Sequence, residues 1–182
     1  MNTWKLSVTG TVAKMAERVF LSLGSNLGDR EANLAGAISA FETHKEITDV
    51  RSASFYESVF FGEGDQPDYL NTVVEFHSSF QPFDLFDQTC HIEQMMGRPK
   101  ERKKNIPRSI DIDILCHGDS VLETKTLIIP HPRIPFRKFV LVPFCELAPE
   151  FIIPGLNVRV EHLLHVCIDT SIVIKHSLES RA

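Results

Sequence analysis

Residues 107–115 read Pro107-Arg108-Ser109-Ile110-Asp111-Ile112-Asp113-Ile114-Leu115. From Ile110 onward isoleucine and aspartate alternate, and this period of two residues predicts a β-strand with apolar side chains on one face and carboxylates on the other. Side chains two residues apart in a strand lie about 7 Å from each other, so Asp111 and Asp113 stand side by side. Two carboxylates held that close repel each other unless a cation lies between or beside them. The pair therefore indicates a cation site, whereas an edge strand whose aspartates face water is the alternative for an isolated Asp-x-Asp.

Magnesium is the cation that this pair of carboxylates suits best. Mg²⁺ prefers oxygen ligands and takes one or two carboxylates together with water and substrate phosphates. Two such ions about 3.5–4 Å apart form the usual clamp for displacement at phosphorus. Asp111 and Asp113 are therefore candidate metal ligands in an enzyme that acts on a phosphate.

A basic cluster precedes the aspartates. Six cationic side chains stand there against one acid, Glu101, although the whole chain carries a net charge of −5. They are Arg98, Lys100, Arg102, Lys103, Lys104 and Arg108. A local cluster on an acidic chain suits a compact anion better than a long nucleic-acid track, so we expect no nucleic-acid partner.

Length and composition predict one domain. The chain has 182 residues; residues 1–17 show no clear period and are interpreted as an N-terminal extension, so the domain spans 18–182. No apolar run approaches the length of a membrane span, and no secretory signal precedes residue 18. The four cysteines form no Cys-x-x-Cys motif and are interpreted as reduced thiols. We therefore expect a cytoplasmic monomer without a membrane partner.

The hydrophobic periods predict the order strand–helix–strand–strand–helix–strand. The predicted elements are a strand at 18–23, a helix capped by Asn26 or Asp29, an extended region at 47–60, a strand at 69–80, a helix that begins near Pro82, and the aspartate strand. This order is the split βαβ pattern of ferredoxin-like folds. The predicted class is α+β, with a largely antiparallel sheet and helices packed on it. Farther along, we predict a short strand at 126–129, a short helix at 136–143 and a helix at 161–166, and we assign no function to the tail.

Several motifs give this chain a resemblance to a known enzyme family. They are Leu23-Gly24-Ser25-Asn26-Leu27, Asp65-Gln66-Pro67-Asp68-Tyr69-Leu70-Asn71, Glu93 with Gly97-Arg98, Pro107-Arg108-Ser109-Ile110-Asp111-Ile112-Asp113, Pro130-His131, and Arg137 with Phe139. In this order they resemble the 6-hydroxymethyl-7,8-dihydropterin pyrophosphokinase family of folate biosynthesis, from about residue 18 to residue 154. Each motif alone is weak, but the aspartate block joined to the Asp-Tyr-Leu-Asn block is specific.

The resemblance implies transfer of pyrophosphate from ATP to the hydroxymethyl group of the pterin, with release of AMP. It implies two Mg²⁺ ions on Asp111 and Asp113, and catalytic roles for those residues together with Arg98 and Arg108. Around ATP it implies Glu93, Arg98, Arg108, Ile114, His131 and Arg137. Around the pterin it implies Ser58, Val59, Phe61, Tyr69, Asn71 and Phe139. Among these, Tyr69 and Phe139 would stack on the two faces of the pterin ring and Asn71 would bind its edge.

The chain also departs from the family pattern, and other functions remain as alternatives. Asn105 stands where the family commonly has a tryptophan, so the basic loop lacks an apolar anchor; we predict that it closes over the substrates but reopens readily. A metal-dependent nucleotidyl transferase or nuclease would also use an Asp-x-Asp pair. A non-catalytic ferredoxin-like domain that binds RNA would carry an RNP-type aromatic signature, and this sequence has none. Tyr69 and Phe139 are ordinary core aromatics under either alternative.

Overall fold

The computed structural model describes residues 16–59, 67–98 and 107–177. Seven elements form the first part: β1 (Glu17–Ser25), α1 (Arg30–Glu42), β2 (Ile47–Ser52), β3 (Tyr56–Ser58), β4 (Tyr69–Ser78), α2 (Pro82–Met95) and β5 (Asp111–His117). The second part comprises β6 (Leu122–Glu123), β7 (Ile128–Ile129), a 3₁₀ turn (Ile134–Phe136), α3 (Lys138–Leu147), β8 (Ile152–Ile153), β9 (Val158–Arg159), α4 (Val160–His165) and β10 (Val173–Lys175). No helix in the described ranges is long and apolar enough to cross a membrane.

One antiparallel sheet organises the chain. Its strand order is β10-β3-β4-β1-β5, and β2 also pairs with β4 alongside β3. With β2 and β3 taken as one interrupted strand, this is the strand order of the split βαβ pattern. The α+β, ferredoxin-like prediction is therefore confirmed.

The two helices that precede β2 and β5 begin where the sequence predicts. The carboxylate of Asp29, and not Asn26, caps α1 by accepting a hydrogen bond from the backbone N–H of Ala32 at 3.0 Å. Pro82 opens α2, where its missing N–H costs nothing. Gly97 follows α2 with a φ of 90°, a left-handed conformation that glycine adopts without strain. Local chemistry therefore sets these helix ends.

The sheet packs a hydrophobic core on each of its faces. The first core joins the sheet to α1 and α2 and includes Leu21, Leu34, Val74, Leu85 and Ile112. The second core joins the opposite face to α3 and α4 and includes Phe20, Val73, Leu115, Leu141 and Phe144. The second core covers only part of its face, so the ends of β1, β4 and β5 that lie beyond it remain open.

Three predicted elements differ from the structure. The extended region at 47–60 is divided into β2 and β3, and its register shifts between Thr48 and Arg51, where Asp49 has a φ of 57°. The strand predicted at 126–129 is only Ile128–Ile129, because the hydroxyl of Thr124 accepts the backbone N–H of Leu127 in a tight turn.

The prediction of a helix at 136–143 was wrong at both ends of the helix. Residues 134–136 form a 3₁₀ turn, and α3 then runs from Lys138 to Leu147 with Pro143 inside it. A proline at this position removes one helical hydrogen bond. Val140, Leu141 and Phe144 are each buried on one face of α3, and that packing outweighs the lost bond.

Candidate active site

A cleft of about 860 Å³ opens on the part of the sheet that the second core leaves uncovered. Its size falls in the range of about 300–1,000 Å³ that is typical of small-molecule sites. Its floor is formed by β1, β4 and β5, and its walls by the segment before α3, the start of α3 and residues 168–171. The cleft is therefore built from both ends of the chain.

Small residues of β1 make room for functional side chains on the neighbouring strands. Gly24 pairs with Asn71 on one side and with Asp111 on the other, and Ser22 pairs with Asp113. Asp111 and Asp113 line the cleft, whereas Ile112 between them is buried in the first core. The alternation in the sequence therefore predicted the faces of β5 correctly. The amide of Asn71 and the carboxylate of Asp111 lie on the two sides of Gly24.

Asp111 is held between two arginines. Nη1 of Arg98 lies 2.6 Å from its Oδ1, and Nη1 of Arg108 lies 3.0 Å from its Oδ2. Arg98 also donates to Glu93, and Glu93 accepts the backbone N–H of Ile112 at 2.8 Å. Burial by itself would lower the pKa of Arg98, but the carboxylates of Asp111 and Glu93 raise that pKa above its ordinary value. The guanidinium therefore stays charged.

Asp113 has looser cationic neighbours. Nη1 of Arg137 lies 3.5 Å from its Oδ2, and Nε2 of His131 lies 3.9 Å from the same oxygen. Burial lowers the pKa of His131 and outweighs the opposing effect of Asp113. Within the described ranges, no group of three or more His, Cys, Asp and Glu side chains could hold a metal ion.

The loop after β1 is hydrogen-bonded to the backbone of Arg108, just before β5. The side chain of Asn26 accepts the backbone N–H of Arg108 at 2.8 Å, and the backbone N–H of Asn26 donates to the carbonyl of Arg108 at 3.2 Å. This two-bond bridge fixes Arg108 beside β5. It gives Asn26, which does not cap α1, a role in building the site.

On the β4 side, the cleft is lined by the amide of Asn71 and by the aromatic ring of Tyr69. Asn71 is buried, and its Nδ2 donates to Oγ of Ser58 at 2.9 Å. Tyr69 pairs with Ser58 across the sheet, and Tyr69, Val59 and Phe139 also line the cleft. Burial raises the pKa of Tyr69, which also interacts with Arg108. The guanidinium of Arg137 lies 5.5 Å from the ring centre of Phe139, so Arg137 connects this end with Asp113. A flat polar ring would meet aromatic surface and an amide here.

The structure brings most of the predicted site residues into one cleft, with three exceptions. Ile114 is buried in the first core on the opposite face of the sheet, and Glu93 lies beneath Arg98 instead of in the cleft. Phe61 lies outside the described residues, as do Asn105 and the basic loop between Arg98 and Pro107.

Sequence reasoning missed other cleft residues. They are Ser22, Gly24, Arg133, Phe136, Ile168, Asp169, Thr170 and Ser171. The alternation of β1 contained a usable signal, because Ser22 and Gly24 interrupt its apolar residues on one face. Residues 168–171 carry no such signal, since they lie more than fifty residues beyond the aspartate strand and match no motif.

Substitution of Gly24 by alanine tests whether the cleft floor must remain free of a side chain at this position. A Cβ at this position would lie 3.1 Å from Oδ1 of Asn71 and 3.6 Å from Cδ1 of Tyr69. We expect Gly24→Ala to weaken binding of a ligand at the amide end by about tenfold, because Asn71 must shift by some tenths of an ångström. Gly36→Ala is the matched control, since a Cβ there meets only Cε of Met96, at 3.5 Å. Calorimetric titration of both variants with the pterin is the measurement, and unchanged affinity in Gly24→Ala would contradict the expectation.

Comparison with known proteins gives consistent results. The family model described as "7,8-dihydro-6-hydroxymethylpterin-pyrophosphokinase (HPPK)" matches residues 20–149. The chain is 40% identical over 131 residues to the 2-amino-4-hydroxy-6-hydroxymethyldihydropteridine pyrophosphokinase of Bacillus subtilis. This alignment covers 72% of the chain and 78% of that protein. It is 37% identical over 142 residues to the protein of the same name from Methylorubrum extorquens, and this alignment covers 78% of the chain and 89% of that protein.

Solved structures give a matching fold. A structure of Plasmodium falciparum HPPK-DHPS superposes with a TM-score of 0.66 at 15% identity, over 85% of this chain. The chain spans 46% of the length of that protein. At this identity the similarity shows the fold alone.

Proposed function

The chain belongs to the 7,8-dihydro-6-hydroxymethylpterin-pyrophosphokinase family, and from that premise we propose that it transfers pyrophosphate from ATP to 6-hydroxymethyl-7,8-dihydropterin. In this reaction the pterin hydroxyl oxygen bonds to the β-phosphorus of ATP, the bond from that phosphorus to the α–β bridging oxygen breaks, and AMP leaves. The observation that carries the proposal is one cleft in which an amide of β4 and the carboxylates of β5 lie on opposite sides of β1, with arginines and aromatic side chains in the same lining.

The cationic end would hold the triphosphate. Phosphoryl transfer needs in-line positioning and neutralisation of charge more than covalent chemistry. Arg98, Arg108, His131 and Arg137 line this end of the cleft. Arg98 and Arg108 now share Asp111, and the phosphates of ATP would compete for those guanidinium donors because an arginine fork matches a phosphate. Exchange of partners would free the oxygens of Asp111.

The donor set at the aspartates fits magnesium. Asp111 and Asp113 offer carboxylate oxygens on an open face, and the described residues supply no third acidic, histidine or cysteine ligand. Mg²⁺ accepts such a set because it completes its shell with water and phosphate oxygens. When bound, Mg²⁺ would neutralise phosphate charge and align the triphosphate. Asp111 and Asp113 would hold two such ions, and Arg98 and Arg108 would contact the same phosphates.

The amide and aromatic end would bind the pterin. Asn71 presents an amide whose orientation is fixed by its hydrogen bond to Ser58, and an amide can both donate to and accept from a heterocycle edge. Tyr69 and Phe139 line the cleft, and aromatic side chains hold a flat ring by stacking. Ser58 and Val59 complete this end, and Phe61 stays a prediction from the family resemblance.

A product assay tests the proposal. We expect the purified chain, mixed with ATP, MgCl₂ and the pterin, to release AMP and pterin diphosphate in equal amounts, measured by chromatography. AMP formation should stop when the pterin is omitted or when EDTA is added. Release of ADP, or AMP that does not depend on the pterin, would contradict the proposal. The alternative of a nuclease or nucleotidyl transferase is not favoured, because the relatives are named pyrophosphokinases.

We further propose that the enzyme acts as a monomer in the cytoplasm on small molecules alone. Cys116, Cys145 and Cys167 lie in the described ranges and are not joined in disulfides, as expected in a reducing compartment. Burial raises the pKa of Cys116 to about 12, so this thiol is unreactive at neutral pH. Sedimentation at micromolar concentration is the measurement of the oligomeric state.

A further inference from the structure

The first turn of α3 carries two cleft residues but no capping group of its own. Its N-cap residue is Arg137, whose side chain makes no capping hydrogen bond. Helices favour Ser, Thr, Asp or Asn at this position because those side chains accept the free N–H groups of the first turn. Arginine has no acceptor, and here its guanidinium lies beside Asp113 and over the ring of Phe139.

The missing cap comes from the tail of the chain. Oδ2 of Asp169 accepts the backbone N–H of Lys138, the first residue of α3, at 2.8 Å. Its Oδ1 accepts the backbone N–H of Ser171 at 2.9 Å, so the tail holds the carboxylate in place. Both oxygens are engaged, and one carboxylate ties residues 168–171 to the start of α3. This segment lies beyond residues 20–149, to which the family model matches.

The charge of Asp169 agrees with this geometry. Burial works to raise the pKa of its carboxyl, but hydrogen bonds from Lys138 and Ser171 outweigh burial and lower that pKa. The carboxylate is therefore ionised at neutral pH and accepts through both oxygens. An anion at a helix N-terminus also interacts favourably with the helix dipole.

We propose that Asp169 is a positioning residue that holds Phe139 and Arg137 in place for the pterin and the triphosphate. The proposal rests on the proposed function and adds a determinant of substrate affinity outside the family motifs. Phe139 follows Lys138 directly and Arg137 precedes it, so fraying of this turn would displace both side chains. Arg137 occupies the N-cap position but directs its side chain towards Asp113 and Phe139, so Asp169 must supply the acceptor for the first turn of α3.

Two substitutions at Asp169 and one control separate positioning from general stability. Asp169→Ala removes both acceptors, and Asp169→Asn keeps the volume but leaves one oxygen for two N–H groups. Glu146→Gln is the control, because Glu146 lies near the other end of α3 and accepts from Ser54 N, Ser54 Oγ and the hydroxyl of Tyr56. Pterin affinity is measured by calorimetry with a saturating non-hydrolysable ATP analogue, and Tm by calorimetric unfolding.

We expect Asp169→Ala to raise the pterin Kd by about fivefold to tenfold, since loss of a cap has an effect of that size, and Asp169→Asn to raise it less. Glu146→Gln should lower Tm without changing the pterin Kd. In the background of Phe139→Ala, Asp169→Ala should add little further loss, because its effect acts through Phe139.

Besides unchanged pterin binding in Asp169→Ala, two results would overturn the positioning role. One is that the Asp169 and Glu146 variants, compared at the same decrease in Tm, raise the pterin Kd by the same factor. The other is full additivity of Asp169→Ala with Phe139→Ala. A wild-type chain that binds no pterin would instead refute the proposed function, whereas pterin binding that is unaffected in Asp169→Ala would refute the positioning role alone.

Discussion

Asp113→Ala is expected to lower kcat by about a hundredfold or more, the size of effect seen when one preorganised electrostatic group is removed from an active site. The reason is that, under the proposed function, its carboxylate is one of the two on β5 that would hold Mg²⁺ against the triphosphate. Stability should change little, because Asp113 is 37% exposed and its ion-pair contacts are no closer than 3.5 Å. Removal of one carboxylate also relieves repulsion from Asp111.

The measurement is AMP release at saturating ATP, pterin and MgCl₂, together with the free energy of unfolding. Asp119→Ala is the matched control, since Asp119 is an exposed carboxylate just beyond the same strand and outside the cleft. Asp111→Ala should lower kcat as well, but it also leaves Arg98 and Arg108 without their shared partner. Wild-type kcat in both Asp113→Ala and Asp111→Ala would mean that the aspartate face plays no part in the reaction.

Glu93→Ala is expected to lower the free energy of unfolding by about 3–5 kcal/mol, the cost of removing one partner from a buried ion pair. The carboxylate of Glu93 is only 3% exposed, and the Arg98 side chain that donates to it is 11% exposed. Glu93 also accepts the backbone N–H of Ile112, so its loss leaves a buried donor without this partner. The guanidinium of Arg98 would keep Asp111 but lose its side-chain partner on α2.

Urea unfolding monitored by circular dichroism measures this effect. Asp87→Ala is the control, because Asp87 is exposed on the same helix. Glu93→Gln should be milder than Glu93→Ala, since its side-chain oxygen can still accept from Ile112. A loss below about 1 kcal/mol in Glu93→Ala, typical of an exposed ion pair, would show that Glu93 does not support the site through Arg98.

Local patterns in the sequence determined the class of the fold and one face of the site. The alternation around Asp111 and Asp113 set which side chains of β5 face the cleft, because successive residues of a strand point to opposite faces. Asp29 and Pro82 marked the starts of α1 and α2, because capping depends on residues within one turn. These features could be predicted because their physical causes act over a few neighbouring positions.

Other features depended on contacts between residues distant in the sequence. The register of β1 with β4 and β5 places Gly24 between Asn71 and Asp111, and no local period contains that register. Ile114 was assigned to ATP by the family resemblance alone, and its side chain packs in the first core, on the face that the alternation predicts. Strand faces can be derived from periodicity, whereas the order and alignment of strands are set by packing of the whole sheet.

The tail shows most clearly what only the tertiary structure decided. Asp169 is an unremarkable carboxylate in the sequence, and its role becomes visible only where the chain returns to the start of α3. Glu93 was assigned to ATP by the family resemblance, and only the structure shows its side chain beneath Arg98, where it accepts the backbone N–H of Ile112. In both cases the partner is a backbone N–H group, which every residue except proline carries, so the sequence has no signal that identifies it.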